Sequence, residues 1–396
     1  MITRRVRLGD LVEISPSVRP VGRPDDLVSF IAMADVSEEG YVASIQQRPL
    51  SEVQKGYTAF RQGDVLLAKI TPCFENGKAA LVADLPTEYG FGSTEFHVLR
   101  PGKDVDPKFL FHLIWNRRFR RLGTGRMTGS AGQKRVPTGF LADYELLLPS
   151  LEQQRRIATI LDKANHLRRM REEAIHLADE FLRATYLDLV GQHPERSTVE
   201  SVLAKFPNAA RTGPFGSQLL VSEFTDSGIP VLGIDNVVSN SFTWGAPRFI
   251  SPTKYSELER YTVRPNDVLI TIMGTTGRVA IAPDDLPTCI STKHLCTLTL
   301  DRERMLPTYL WACLRWDTEV RSQTRREAKG AIMEGWNMGI VKGLLVSTPP
   351  LAVQQRFESI AGRMKHISGL SAKAADESDA LVSSLCTEYF DTATLA

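Results

Sequence analysis

Cysteine is scarce and scattered in this 396-residue sequence. The five thiols (Cys73, Cys289, Cys296, Cys313, Cys386) are odd in number and form no C-x-x-C pair, which excludes the usual zinc and thiol-exchange arrangements and points to buried thiols in a reducing compartment. A charge excess is also missing: 48 Lys and Arg against 46 Asp and Glu leave +2, so any nucleic-acid surface must be local. No apolar run reaches the ~18 residues of a membrane span. The N-terminal MITRRVRLGDLVEI holds no apolar stretch of signal-peptide length, so a soluble cytoplasmic protein is expected. Catalytic signatures are absent as well. There is no G-x-x-x-x-G-K-[ST] loop, no dinucleotide fingerprint in a βαβ setting and no His or carboxylate grouping at metal-ligand spacing. The N/D-P-P-Y/F signature of methyl transfer is missing, and the seven histidines are dispersed. A chain without its own catalytic centre, metal or cofactor is expected.

What is present is an internal repeat. Sliding the chain by about 200 residues, the usual first search for a hidden architecture, pairs FIAMADV (from Phe30) with VLGIDNV (from Val231) and RQGDVLLAKI (from Arg61) with VRPNDVLITI (from Val263). GKAALVADLPT (from Gly77) pairs with GRVAIAPDDLPT (from Gly277), and PKFLFHLIW (from Pro107) with PTYLWACLRW (from Pro307). Their common order makes coincidence a poor explanation. Each half ends alike, in PSLEQQRRIATIL from Pro149 and PPLAVQQRFESIA from Pro349, where proline followed by good helix formers marks a helix start.

Downstream, apolar residues follow a 3-4 spacing at equivalent positions. The expected seam is Ile157, Ile160, Ala164, Leu167, Arg171, Ala174, Ala178 and Phe181 in the first helix, and Phe357, Ile360, Met364, Ile367, Ser371, Ala374, Ser378 and Leu381 in the second. Such stripes fit either helices packed on their own domains or helices packed on each other, and the shared register favours the latter. Runs such as DVLLAKI, EFHVLR, DVLITIM and HLCTLTL read as strands, while DPKFLFHLIWNRRFRR and LPTYLWACLRWDTEV read as one helix per half. The expected fold is therefore α/β (α+β), with domains over residues 1–148 and 192–348 and long helices over 149–191 and 349–391 that pair as an antiparallel coiled coil with pseudo-twofold symmetry.

This order of domain, PSLEQQRRIATIL-type helix, domain and PPLAVQQRF-type helix resembles the specificity subunit of type I restriction-modification systems over nearly the whole chain. GPFGSQL (from Gly213), GIPVLGIDNV (from Gly228) and ITIMGTTGRVAIAP (from Ile270) are also typical of that family's target-recognition domains. The resemblance implies two target-recognition domains, two methyltransferase subunits along the helices and translocating nuclease subunits outside them. It implies S-adenosylmethionine, ATP and Mg in those partners and none in this chain. A helix of about 35 residues spans on the order of 50 Å, enough to separate two readers by about one or more 34–36 Å DNA turns. The expected DNA target is bipartite and asymmetric, because the two domains differ in most side chains.

Local charge fits such a surface. No acid occurs between Pro107 and Ala142, a stretch that holds Lys108, Arg117, Arg118, Arg120, Arg121, Arg126, Gln133, Lys134 and Arg135 and ends in a glycine-rich, basic loop expected to be flexible. Such residues suit phosphates and base edges, although arginines after an apolar helix also complement its C-terminus. The second-half counterparts are Arg325, Arg326, Lys329, Trp336 and Asn337, with Gln133 and Asn337 as candidate adenine readers. Further candidates are Lys69, Thr71, Lys78 and Thr94 in the first half, and Ser217, Thr275, Thr276, Arg278, Thr292, Lys293 and His294 in the second, where threonine also simply favours strands. Two rival readings remain. One is a coiled-coil scaffold that binds only protein. The other is a metal-dependent nuclease built on Pro283-Asp284 and Glu327-Ala328-Lys329.

Overall fold

The computed structural model describes residues 4–18, 21–130, 132–328 and 335–391. The chain divides into two compact units, one of Met1–Arg171 with Lys373–Ala396, the other of Glu172–Ala372. Six helices carry the argument: α1 (Pro107–Trp115), α2 (Arg117–Thr124), α3 (Leu151–Gln192), α4 (Pro307–Trp316), α5 (Thr318–Ala328) and α6 (Leu351–Cys386).

Each unit repeats one plan. In unit one, Val12–Ile14, Phe96–Pro101, Val65–Ala68 and Ala79–Leu81 form an antiparallel sheet in that order. A second sheet runs Gln46–Pro49, Leu27–Ile31, Tyr89–Gly92, Thr58–Arg61, and its central pair is parallel. Unit two has the same antiparallel order in Ala210–Thr212, Leu295–Leu298, Val268–Thr271 and Val279–Ile281, and again one parallel pair, Ile229–Leu232 beside Cys289–Ser291. The central strands Val65–Ala68 and Val268–Thr271 are buried throughout, as their unbroken apolar runs require.

The repeat extends to the turn chemistry. RQGD and RPND each need a left-handed residue before the aspartate, supplied by Gly63 (φ 87°) and Asn266 (φ 65°). Asp64 and Asp267 then accept the backbone N–H of Arg61 and Arg264 at 2.8 and 2.7 Å. Each aspartate also pairs an arginine: Arg100 grips Asp64 with two bonds of 2.9 and 2.7 Å, and buried Arg211 meets buried Asp267. A charge so enclosed is tolerable only when paired.

The glutamine of the P-x-L-x-x-Q motif explains why the two helix starts are alike. Buried Gln154 donates to the carbonyls of Asp104 (3.0 Å) and Pro149 (2.9 Å) and accepts the N–H of Asp106 (2.8 Å). Buried Gln354 repeats this on Arg304 (3.0 Å), Pro349 (2.9 Å) and Leu306 (2.9 Å). Each glutamine thus staples a long helix to the turn before α1 or α4, and sets the rotation of the helix about its axis.

That rotation corrects the expected seam. In unit one the buried face of α3 continues from Gln154 through Ile157, Ala158, Leu161 and Ala164, and shares a core with Val382, Leu385 and Phe390 near the end of the chain. In unit two it is Ala178, Leu182, Tyr186 and Leu189, packed where Phe357, Ile360, Ala361 and Met364 begin α6. Early helix meets late helix in each, so the pairing within each unit is antiparallel. Ile157 and Phe357 are buried, and Ile160 and Ile360 half-buried. Leu167, Phe181, Ile367 and Leu381 are about half exposed at 47, 52, 47 and 53%, because a stripe in phase with Gln154 falls one residue later, on Leu161, Leu182 and Val382. The side chains of Ser371, Ala374 and Ser378 lie outside the described residues.

The single helix expected in each half is two. Asn116 (ψ 140°) and Asp317 (ψ 122°) leave helical geometry and use their side chains to cap the next helix, at Arg118 N (2.7 Å) and Glu319 N (2.9 Å). Asp317 additionally binds the Tyr186 hydroxyl (3.0 Å) and the Arg196 guanidinium (2.9 and 3.2 Å), locking α3 to the break.

Candidate functional site

In unit one, hydrogen bonds tie down the described ends of the basic loop. Thr128 and Arg135 pair across it by backbone hydrogen bonds of 3.0 and 2.8 Å, with Gly129 (φ 134°) turning the chain. Its base is fastened to the sheet. Thr71 donates its N–H to Lys134 O (2.9 Å), its hydroxyl accepts Lys134 N–H (3.0 Å), and Val136 N–H reaches Lys69 O (2.8 Å). The Arg135 guanidinium clasps the Glu95 carboxylate at 2.7 to 3.1 Å, and this hydrogen bonding lowers the Glu95 pKa. Buried His97 lies 2.8 Å from Val136 O, and burial depresses its pKa. Lys69, Thr71, Gln133, Lys134 and Arg135 are thus brought together, with exposed Thr94 beside Glu95 and Arg126 at the entry to the hairpin.

Both anchors weaken in acid. His97 and Glu95 have folded pKa values below their unfolded ones, so each contributes stability at higher pH that is lost as pH falls, His97 first and Glu95 in the carboxylate range. Amide exchange at Thr128 and Arg135, corrected for intrinsic rate, should accelerate as pH drops from about 7 to 4, with core amides such as Leu66 still protected. Equal protection at both ends of this range would show that the two contacts do not hold the hairpin.

Two other candidates of unit one have separate places. Lys78 gives its ammonium to Met33 O at 3.1 Å and is half-buried, a structural use. The arginines expected at a helix C-terminus instead open α2, with Arg117 and Arg118 in its first two positions and no acid in its first turn. Complementing a helix C-terminus is therefore not what these two do, since at an N-terminus the helix dipole opposes them, whereas Arg121 does lie in the last turn of α2. Arg117 and Arg121 are exposed, and Arg120 is held by Glu75 O at 3.1 Å.

Unit two presents the corresponding frame with other side chains. Ile272 N–H bonds His294 O (2.9 Å) and Trp336 N–H bonds Ile272 O (2.9 Å), as Lys69 N–H bonds Glu95 O (2.9 Å) and Val136 N–H bonds Lys69 O. Thr275, Thr276, Arg278 and Trp336 line one cleft of about 500 Å³ together with His176, Arg183 and Arg321, which sequence reading did not single out. The Trp336 indole lies so close over Gly277 that an added Cβ would sit 3.2 Å from it. Asn337 caps the helix Met338–Gly343 by accepting Ile340 N–H (2.9 Å), so its carbonyl oxygen is already spent. Arg325 and Arg326 are exposed on α5, the latter bonded to Ser322 (2.8 Å). Ser217 and Lys293 are exposed elsewhere, and Lys329 lies outside the described residues.

For the nuclease reading, Asp284 accepts from Asn266 at 2.7 Å, while the Glu327 side chain and Lys329 lie outside the described residues. Among the described residues no group of three or more His, Cys, Asp or Glu could hold a metal, and no helix is long and apolar enough to cross a membrane.

Comparison with known proteins agrees with this geometry. Residues 4–175 match the type I restriction modification DNA specificity domain. The type I restriction enzyme EcoAI specificity subunit of Escherichia coli is 40% identical over 149 residues, which are 37% of this chain and 25% of that protein. The match thus spans about a quarter of that relative's length. A crystal structure of the type I restriction-modification S subunit from M. genitalium shares the fold, with TM-score 0.61 and 11% identity over 98% of this chain and 96% of that one. A chain from a study of assembly and conformational transition in the type I R-M system aligns over 98% and 97% with TM-score 0.50 and 19% identity. Residues 4–175 of this chain thus carry a type I restriction modification DNA specificity domain, and over nearly its whole length the chain shares the fold of the M. genitalium S subunit.

Proposed function

We propose that this chain reads a bipartite DNA site, one half with each unit, and lends that reading to methyltransferase and restriction subunits while catalysing nothing itself. One observation carries the reading: the same backbone frame occurs in both units, holding Lys69, Glu95 and the Arg135 hairpin in one and Ile272, His294 and the GTTGR–Trp336 cleft in the other. A common scaffold with unlike side chains suits two half-sites of unlike sequence, because base edges are distinguished by donor and acceptor pattern. Residues 1–148 and 192–348 act as the target-recognition domains, and the helices of 149–191 and 349–391 set their spacing. Phosphate contacts fall to Arg126 and Lys134 in unit one and to Arg278, Arg325 and Arg326 in unit two.

The long helices also supply the docking face. On α3, Leu167 and Met170 of unit one, three residues apart, are 47 and 54% exposed, and Leu177 and Phe181 of unit two, four apart, are 55 and 52% exposed, so each unit turns an apolar pair to solvent. Methyltransferase subunits, carrying S-adenosylmethionine, would cover it. Restriction subunits supply ATP- and Mg-dependent steps from outside, and the complex works in the cytoplasm. The test is co-expression with the neighbouring methyltransferase gene product and single-molecule sequencing of host DNA. One motif with two unlike halves and a fixed gap is expected; a stable complex without a new methylated motif would leave a protein-binding scaffold as the better account.

A further inference from the structure

Unit one holds a groove of about 470 Å³ between α2 and the two long helices, and among the described residues its wall is lined mainly by arginines. Arg117, Arg120 and Arg121 of α2 and Arg168 of α3 line it, and the one carboxylate among its described lining residues, Glu38, already accepts from Asn76 at 2.8 Å. Among the described residues only four buried side-chain nitrogens or oxygens lack a hydrogen-bond partner. Three belong to these arginines: Arg120 Nε, Arg168 Nε and Arg168 Nη2. Buried donors on a guanidinium are costly to leave unpaired, and the start of α2, capped by Asn116 but with no acid in its first turn, adds positive potential there. An oxyanion between α2 and α3 would satisfy all of these at once. Arg168 is already oriented, its guanidinium 5.9 Å from the Trp115 ring centroid.

We infer that this groove is a phosphate seat, taking one phosphodiester of the DNA backbone beside the basic hairpin. The inference rests on the DNA-reading function above. DNA is favoured over an acidic protein segment because α2 ends at Thr124 and the chain passes at once into the hairpin, so the row of cations runs from groove to hairpin with no acid between Pro107 and Ala142. A phosphodiester's two free oxygens also match a guanidinium fork.

The test is the salt dependence of DNA affinity for the full chain and for Arg168→Gln and Arg117→Gln variants, on a cognate and an unrelated duplex. Losing one phosphate contact lowers the slope of log K against log salt by about 0.9 and weakens both duplexes equally. That result is expected of each variant. Arg117 is exposed, so its replacement keeps the test valid even if Arg168→Gln fails to fold. Wild-type slopes in folded variants would overturn the seat while leaving the DNA-reading function intact. A loss confined to the cognate duplex would also overturn it, in favour of a base contact. A wild-type chain with no salt-dependent DNA affinity would remove the function and the seat together.

Discussion

Replacing Gln354 with leucine is expected to destabilise unit two by ~3 kcal/mol, since each buried polar group left without a partner costs about 1–3 kcal/mol. The leucine fills much of the space but strands the Leu306 N–H and the Arg304 and Pro349 carbonyls, all now bonded to one side chain. Arg304 lies on an exposed turn where water can take over its carbonyl, and relaxation around the leucine lowers the remaining cost, which places the loss at the bottom of the summed range of about 3–9 kcal/mol. For a unit of this size the melting temperature falls by roughly 2–4 °C per kcal/mol, or about 6–12 °C. Gln154→Leu should do the same to unit one, where Asp106 N–H and the Asp104 and Pro149 carbonyls are the groups stranded. Urea or thermal melts of the two single variants measure this. Melts within about 0.5 kcal/mol of wild type would mean that the staple does not set the helix rotation, and that the apolar faces alone do.

The staple also shows where sequence reading ran out. The repeat was legible because an offset of 200 residues aligns whole motifs, and the strands, though not their antiparallel pairing, followed from runs such as DVLLAKI and DVLITIM. The phase of the long helices was not, because α3 is apolar on two faces: Leu161 and Leu182 point inward while Leu167 and Phe181 point out. Hydrophobic period cannot choose between two apolar stripes one residue apart. The buried polar Gln154 decides it, and counting 3, 7, 10 and 14 residues on from Gln154 leads through Ile157, Leu161 and Ala164 to Arg168, the groove arginine that an apolar seam passes over. The break at Asn116 was hidden by the continuous apolar-then-basic pattern around it, although asparagine before two arginines is a serviceable cap. At the candidate site, residue type indicated the basic loop and the GTTGR loop, but only the fold shows that Arg135 and Lys78 bond internally and that the Asn337 carbonyl oxygen caps a helix. Of these, Arg135 holds the hairpin that carries Gln133 and Lys134.

The double variant Leu177→Gln, Phe181→Gln is expected to lose the methyltransferase partner proposed above while folding as the wild type does. These residues are four apart on α3 and so share one face, and both are more than half exposed, at 55 and 52%. Neither supports the core of unit two, which Leu182 and Tyr186 fill from the opposite side of the helix. Surface replacements of this kind change stability by about 0.5 kcal/mol or less, and glutamine is a good helix former. If a partner covers both side chains, their removal forfeits ~2 kcal/mol each, which together weakens the complex roughly a thousandfold. Val221→Gln makes the control, since Val221 is 87% exposed in the same unit but lies outside the long helices. Co-purification and sedimentation would show the wild-type and Val221→Gln chains bound and the double variant free. Retention of the partner by a folded double variant would move the docking surface off this face of α3. Because docking and DNA reading use different residues in this account, the freed double variant should still bind DNA, and loss of both together would contradict that separation.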